Sequence, residues 1–354
     1  MTLLFCFAVW FAPAFAGQLD LDGQTISAPM VLSQDTEVTG SFTIKGVGQI
    51  VVESGVVSIS GAEITWQGQP ETHQSAVVQQ GGELLFQDND VTILEQPWRD
   101  DHVAAGLFFL RTEAGDSAVI DGNTITAKSK YAAGFLWVSG IEDTGGVSVT
   151  NNQIWGAHAG IYMIGSDGAV IAGNTLTKVS FGNIVTHLAD NLLIERNRII
   201  FHGDGTSGDG LTIVGGSDIL IRRNLITLGT CYGIQILPAE GERMHGIAIR
   251  NNTISDGITT ALYLNGTADN FIEDVSIRGN IVSGNMGWGL LGTYLSDVSV
   301  SQNVFTGNVP TAEPQHLLGA EVEVAEWSDN LAGIPFDSSS LPGRHLKLNE
   351  PYLN

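Results

Sequence analysis

A short pattern recurs along the chain. Two or three alternating apolar residues are followed by one or two polar ones, an asparagine, one further residue and an apolar residue. It reads AVIDGNTI, VSVTNNQI, AVIAGNTL, LLIERNRI, ILIRRNLI, IAIRNNTI, VSIRGNIV and VSVSQNVF, with a fainter LLFQDNDV upstream. The asparagines are Asn89, Asn123, Asn152, Asn174, Asn197, Asn224, Asn252, Asn280 and Asn303, with Asn330 a weaker tenth. Their spacings are 34, 29, 22, 23, 27, 28, 28, 23 and 27. The alternation predicts strands that turn Ile, Val and Leu to one side at every second residue. A period of roughly 20–50 residues predicts a solenoid or a propeller.

The variation in spacing separates these two. The stretch around each Asn is nearly constant, while the stretch well after it changes length. A β-helix absorbs insertions in this way, whereas a propeller blade needs about 40 residues and four strands. Asn suits the recurring turn because it tolerates the left-handed backbone better than other side chains. Stacked asparagines can also form amide ladders from coil to coil.

In these features the sequence resembles the right-handed parallel β-helix superfamily, which includes pectate lyases, polygalacturonases, alginate lyases and mannuronan epimerases. The resemblance covers roughly residues 40–335. It implies an all-β, single-stranded right-handed parallel β-helix of about 10–12 coils. Each coil would have three strands, two flanking the Asn turn and a third, after a longer loop, that carries the cleft. Residues 17–60 are expected to form N-terminal coils or a cap, with Gly40 and Gly61 where Asn sits later. Residues 61–335 would form the β-helix proper, and 336–354 a C-terminal cap or tail.

Composition narrows the class. The 354 residues include 44 glycines and 15% charged residues, too turn-rich for a helical bundle and too apolar for a disordered chain. Residues 1–16, MTLLFCFAVWFAPAFA, are apolar and end in a small-x-small pattern. They read as a secretory signal peptide, although no Lys or Arg precedes the apolar run. The mature chain would then be secreted or periplasmic, with no membrane span and with Cys231 as its single cysteine. Fifteen basic residues stand against 38 acidic ones, for a net charge of −23. Nucleic acid is thereby disfavoured as a partner, because phosphate contacts need clustered Lys and Arg.

The third strands read GFLWV, GIYMI, GNIVTH, GLTIV, GIQIL, ALYLN and GLLGT. Alternation after each Gly turns Leu136, Tyr162, Thr212, Gln235, Tyr263 and Leu291 outward. It leaves the direction of His187 open, because Asn183 would fall inside. The loops before these strands hold His158, Lys178, His202, Asp204, Asp209, Cys231, Tyr232 and Asp256. Neighbouring coils lie about 5 Å apart, so His158, Lys178, Tyr162 and the 202–209 loop are expected to share a catalytic site. Thr212, Gln235, Tyr263 and His187 would line it as substrate-binding residues. Asp204 and Asp209 could hold Ca²⁺ through oxygen ligands, or serve simply as turn-formers beside Gly. Cys231 reads as a small buried filler. The cluster Trp98–His102, in the longest insertion, reads as a binding lip or a solvated loop.

The segment SGDGLTIVGGSDILIRRNLI resembles the strand-turn-strand around the first catalytic Asp of polygalacturonases, a role that would fall to Asp209. The next coil should bring an Asp-Asp pair but has TCYGI, and no Gly-His-Gly with an Arg-x-Lys strand follows. The Asp-Pro-His signature of mannuronan epimerases is missing as well. The resemblance therefore stops at the superfamily.

Arg222, Arg250 and Arg278 each lie two residues before their Asn on successive coils, with Glu195 in the same slot one coil earlier. They are expected to stack as a basic stripe able to track a polyanion, or to stand as a solvated stripe balanced by nearby carboxylates. The leading functional expectation is a carbohydrate-active protein acting on an acidic polysaccharide by lyase or epimerase chemistry. A non-catalytic glycan-binding or structural β-helix is the alternative, and a glycoside hydrolase comes third.

Overall fold

The computed structural model describes residues 17–68, 75–94, 108–128, 134–139, 146–200, 208–227, 231–308, 316–318, 321–331 and 336–337. Among them every strand pairing is parallel. Three sheets of 13, 12 and 13 strands each take every third strand of the chain. The path is therefore a parallel β-helix with three strands per coil, wound right-handed as parallel crossovers are. Residues 17–60 already run in the same three sheets, starting with Gly17–Asp20 in the first. Phe336–Asp337 is the last described strand of the third sheet. Residues 1–16, 338–354 and the cluster Trp98–His102 lie outside the described residues.

The alternation places one side chain directly above another from coil to coil. In the first sheet Ile120, Val149, Ile171, Ile194, Ile221, Ile249 and Ile277 form one register column. All are fully buried. The second sheet repeats this with Ile125, Ile154, Leu176, Ile199, Ile226 and Ile254. Burying each such side chain contributes about 1.5–3 kcal/mol. One continuous core along the axis therefore holds the coils together, and among the described residues no disulfide adds to it.

The recurring asparagines form a buried ladder between the first and second sheets. Each amide nitrogen donates to the Oδ1 of the Asn on the next coil, from Asn89 through to Asn330, at 2.8–3.0 Å. The same amide donates to a backbone carbonyl on the preceding coil, as Asn197 does to Ile171. A shorter ladder joins Asn285 to Asn308.

The backbone role of these asparagines differs from the expectation. None of them has a positive φ. The left-handed residue is the one before each Asn: Asp88, Gly122, Asn151, Gly173, Arg196, Arg223, Asn251, Gly279, Gln302 and Asp329. Asn is therefore used for its two-donor, two-acceptor amide and not for its backbone tolerance. At the first turns the ladder slot is taken by Ala62, whose N–H donates to Asn89 Oδ1, while Gly61 supplies the positive φ.

Candidate functional site

The outer face of the third sheet presents one column of side chains across consecutive coils. From the N-terminal side it runs Arg111, Trp137, Tyr162, Val185, Thr212, Gln235, Tyr263 and Leu291. Adjacent members sit about 4.8 Å apart, the spacing of paired strands. Tyr162, Thr212, Gln235, Tyr263 and Leu291 lie in this column as alternation implied. Leu136 does not: it pairs with Ile161 and is fully buried in the core. Trp137 takes the outward place beside Tyr162. Gly134 begins its strand one residue earlier than Gly160 does, and both Phe135 and Leu136 point inward. Counting from Gly thus slips by one, which exchanges the two faces.

Two aromatic platforms stand on this face. In the first, Trp137 stacks on Tyr162 with centroids 4.7 Å apart and planes 5° from parallel. Phe108 packs against both rings. Arg111 covers the other side of Trp137 at 5.7 Å and is ion-paired to Glu113 at 2.9 Å. In the second, Tyr232 stacks on Tyr263 at 4.8 Å, with Trp288, Leu237 and Leu291 packed around them. Stacked or offset rings of this kind add about 0.5–1.5 kcal/mol beyond their burial.

His187 closes the first platform. It points outward, stacks on Tyr162 at 5.4 Å, and its Nε2 lies 2.9 Å from the phenol oxygen. Burial raises the Tyr162 phenol above its ordinary value and lowers the His187 imidazole below its own. Both groups are therefore neutral at neutral pH. A neutral imidazole hydrogen-bonded to a phenol is a proton acceptor and a proton donor held in contact. Asn183, four residues earlier, is fully buried, and its amide donates to the Asp209 carbonyl.

Asp209 stands beside the second platform. Its Oδ1 accepts the Tyr232 N–H at 3.2 Å and its Oδ2 accepts the Thr212 hydroxyl at 3.1 Å. Burial pushes its carboxyl up, and those two hydrogen bonds pull the other way. Thr212 is two coils from Tyr162, or about 10 Å.

The other expected site residues are placed as follows. His158 Nδ1 is 3.1 Å from Ser180 Oγ, and its ring stacks on Phe181 at 5.5 Å. Lys178 is exposed at the corner after the second sheet, where its ammonium covers Trp155 at 5.1 Å. His202 and Asp204 lie outside the described residues. Among the described residues no three His, Cys, Asp or Glu side chains converge on a metal position. Asp209 thus has no described acidic partner for Ca²⁺. Cys231 is partly exposed, not a buried filler, with Thr259 Oγ1 4.0 Å from its sulfur. Arg222, Arg250 and Arg278 pair in register on consecutive coils of the first sheet, on another face.

Arg111, Trp137, Phe108 and Trp288 are absent from the expected set, and Tyr232 figures there only as a loop residue without an assigned role. Trp137 was visible as the neighbour of Leu136. Arg111 becomes a member of the column only once the coil containing Phe108–Thr112 is recognised; the Gly before it in sequence, Gly106, precedes Phe108 by two residues, whereas Gly134 pairs with Phe108 itself.

These features define a right-handed parallel β-helix with an aromatic-lined outer face on its third sheet. Residues 138–305 match the family model described as the right handed beta helix region, just under half of the chain. Fold and match agree on a right-handed parallel β-helix. No protein of curated function matches the sequence. Among solved structures, the Dettilon tailspike protein is similar at 12% identity and a TM-score of 0.50, with 83% of this chain and 61% of that chain covered. The chain thus spans about three-fifths of the tailspike's length. A periplasmic alginate epimerase, AlgG, aligns at 12% identity and a TM-score of 0.48, covering 83% of this chain and 78% of that one. An exopolygalacturonase from Thermotoga maritima aligns at 10% identity and a TM-score of 0.40, covering 89% and 84%. Among the described residues no helix is long and apolar enough to cross a membrane.

Proposed function

We propose that the outer face of the third sheet binds an acidic polysaccharide and that Tyr162 and His187 carry out proton abstraction at C5 of a uronate unit. The observation that carries this reading is the 2.9 Å contact between the Tyr162 phenol and His187 Nε2, between flanking aromatic platforms. The phenol oxygen takes the C5 proton while its own proton passes to His187 Nε2. In a lyase the C4–O bond then breaks, the C4–C5 double bond forms, and the imidazolium returns its proton to the departing glycosidic oxygen. In an epimerase a water on the opposite face gives C5 a proton, and the hydroxide left behind is neutralised by the proton that the His187 imidazolium releases to solvent. Trp137 and Tyr263 offer ring edges to flanking sugar units, since Tyr162 and Arg111 cover the faces of Trp137 and Tyr232 stacks on Tyr263, and Thr212 and Gln235 offer hydrogen bonds to sugar hydroxyls. Arg111, two coils from Tyr162, faces the carboxylate of a neighbouring unit. Export to the periplasm or the medium, with residues 1–16 as the signal, accords with a polymeric substrate.

Incubation with alginate, pectate and glycosaminoglycans, followed by the ultraviolet absorbance of an unsaturated product, tests lyase action. Deuterium exchange at C5 tests epimerase action. Turnover that falls about 10²–10⁴-fold in His187→Ala supports the assignment. Absence of both signals with every polymer removes it.

The second reading is a non-catalytic glycan-binding β-helix, favoured by the two aromatic platforms in themselves. Binding of a polymer without turnover would establish it. A glycoside hydrolase needs a carboxylate pair. Asp209 supplies one member, and Asp204 lies outside the described residues.

A further inference from the structure

The first sheet ends, before its corner with the second, in a column of like charges. Arg222 pairs in register with Arg250, and Arg250 with Arg278. Three arginines therefore recur in register, their backbone positions about 4.8 Å apart, along one edge. Like charges directly opposite on adjacent strands are destabilising, so the column needs an explanation. Its ends are partnered. Arg222 Nε donates to Glu195 at 2.7 Å, and Arg278 Nε donates to Gln302 at 3.1 Å. Arg278 also helps hold the Glu326 carboxyl below its ordinary value, after the Ser328 and Ser299 hydroxyls. Arg250, in the middle, is exposed and has neither hydrogen bond nor ion pair among the described residues. Arg223 adds a fourth exposed cation at the turn. The flanking register positions, Leu220, Ala248 and Ser276 on one side and Leu225, Thr253 and Ile281 on the other, carry no charge. This local positive strip persists in a chain of net charge −23.

We infer that Arg222, Arg250 and Arg278 form a second polyanion-binding strip, separate from the third-sheet face. The strip fits a polysaccharide that bears one anionic group on each sugar unit. Guanidinium groups bind carboxylate and sulfate oxygens in a planar, two-pronged way, and an anion lying along the column relieves the mutual repulsion. The inference is independent of catalysis at Tyr162 and His187, because it rests on another sheet.

Affinity electrophoresis of the full chain through gels containing polygalacturonate, heparin or neutral dextran, at rising salt, tests it. Polygalacturonate and heparin arms distinguish carboxylate from sulfate recognition, and retardation by either supports the strip. Retardation by dextran equal to that by both acidic polymers overturns it, as does the absence of retardation by either acidic polymer. The R222Q/R250Q/R278Q variant is expected to bind about tenfold more weakly at low salt, with the log–log salt slope reduced by about two to three. Should the triple variant fail to fold, Arg250→Gln alone breaks no internal bond and is expected to lower the slope by about one. An unchanged slope in a variant whose melting curve matches the parent overturns the strip. Lys45→Gln, which removes an exposed cation on the second sheet far from the strip, is expected to keep the salt slope, and losing it there overturns the strip equally.

Discussion

Interrupting the asparagine ladder at its centre tests the account of stability directly. Asn197 is about 1% exposed and its side chain makes four hydrogen bonds. Its amide donates to Asn224 Oδ1 at 3.0 Å and to the Ile171 carbonyl at 2.9 Å. Its Oδ1 accepts from the Asn174 backbone and side-chain nitrogens, both at 3.0 Å. Asn197→Ala removes all four and leaves the Asn174 N–H and one Asn174 amide hydrogen buried without partners. Net bonds of about 1 kcal/mol each, plus about 1–3 kcal/mol per stranded buried donor, give a cost of roughly 4–6 kcal/mol once the overlap is removed. At ~2.1 cal/mol/K per residue, 354 residues correspond to ~0.7 kcal/mol/K, so Tm should fall by about 6–9 °C. Asn330→Ala, at the partly buried end of the ladder, should cost less, because Asn330 donates only to Val300 and accepts only from Asn303. Asn251→Ala, at an exposed corner with φ of 57°, should cost only the strain of about 1–2 kcal/mol. Thermal and urea unfolding of the three variants by circular dichroism reads the order. If Asn197→Ala melts no lower than Asn251→Ala, the ladder is not what holds the corners, and the reasoning fails.

The remaining expectations concern the outer face. Trp137→Ala removes the ring stacked on Tyr162 and beneath Arg111, so glycan affinity should fall about tenfold with little change in Tm, measured by calorimetry; unchanged affinity counts against the platform. The His187 imidazole should titrate below its usual value, followed by the NMR shift of its Cε1 proton, and any acid limb of activity should follow it. The sign is that protonation is opposed by burial, so activity requiring neutral His187 persists into mildly acidic solution; a titration above the ordinary histidine value would contradict this. Asp209 is raised by burial, so its cost to the fold is absent below the ordinary carboxylate value and grows as pH rises through its own. Asp209→Asn should therefore gain stability relative to the parent as pH rises from acid to neutral, and urea unfolding showing the reverse trend would refute the burial argument.

The fold was legible because its two signals are local. Alternation before each Asn and the constancy around it need only a few residues, and both survive insertions between coils. The candidate site was legible only in part. Tyr162, Thr212, Gln235 and Tyr263 followed from period two, but Trp137 was hidden by a one-residue offset of Gly134 that exchanged it with Leu136. The direction of His187 depended on where its strand bends inward at Asn183, which periodicity cannot express. The left-handed corner residues were assigned one position too late, since Asn itself tolerates positive φ; the preceding Gly or Asn signals it at five corners, but Arg196, Arg223 and Gln302 do not. Loop residues such as Lys178 carry chemistry in their side chains but no positional signal, so its place over Trp155 could only come from coordinates.

The proposal that an acidic protein binds an acidic polymer raises an electrostatic question that register resolves. At physiological ionic strength the Debye length is about 8 Å, so most of the net charge of −23 is screened at a given surface point. What an approaching carboxylate meets is set by the charges within a coil or two, and coils are about 4.8 Å apart. Arg222, Arg250 and Arg278 lie within that range of one another, whereas the next carboxylates, Glu195 and Glu326, stand at the two ends. On the third sheet Arg111 stands beside Trp137, with its ion-pair partner Glu113 on the side away from Tyr162 in sequence. Stacking turns residues some 28 positions apart, such as Arg222 and Arg250, into lateral neighbours. A chain rich in carboxylates can thus present a narrow cationic track without becoming basic, and salt should weaken that track far more than it weakens the aromatic platforms.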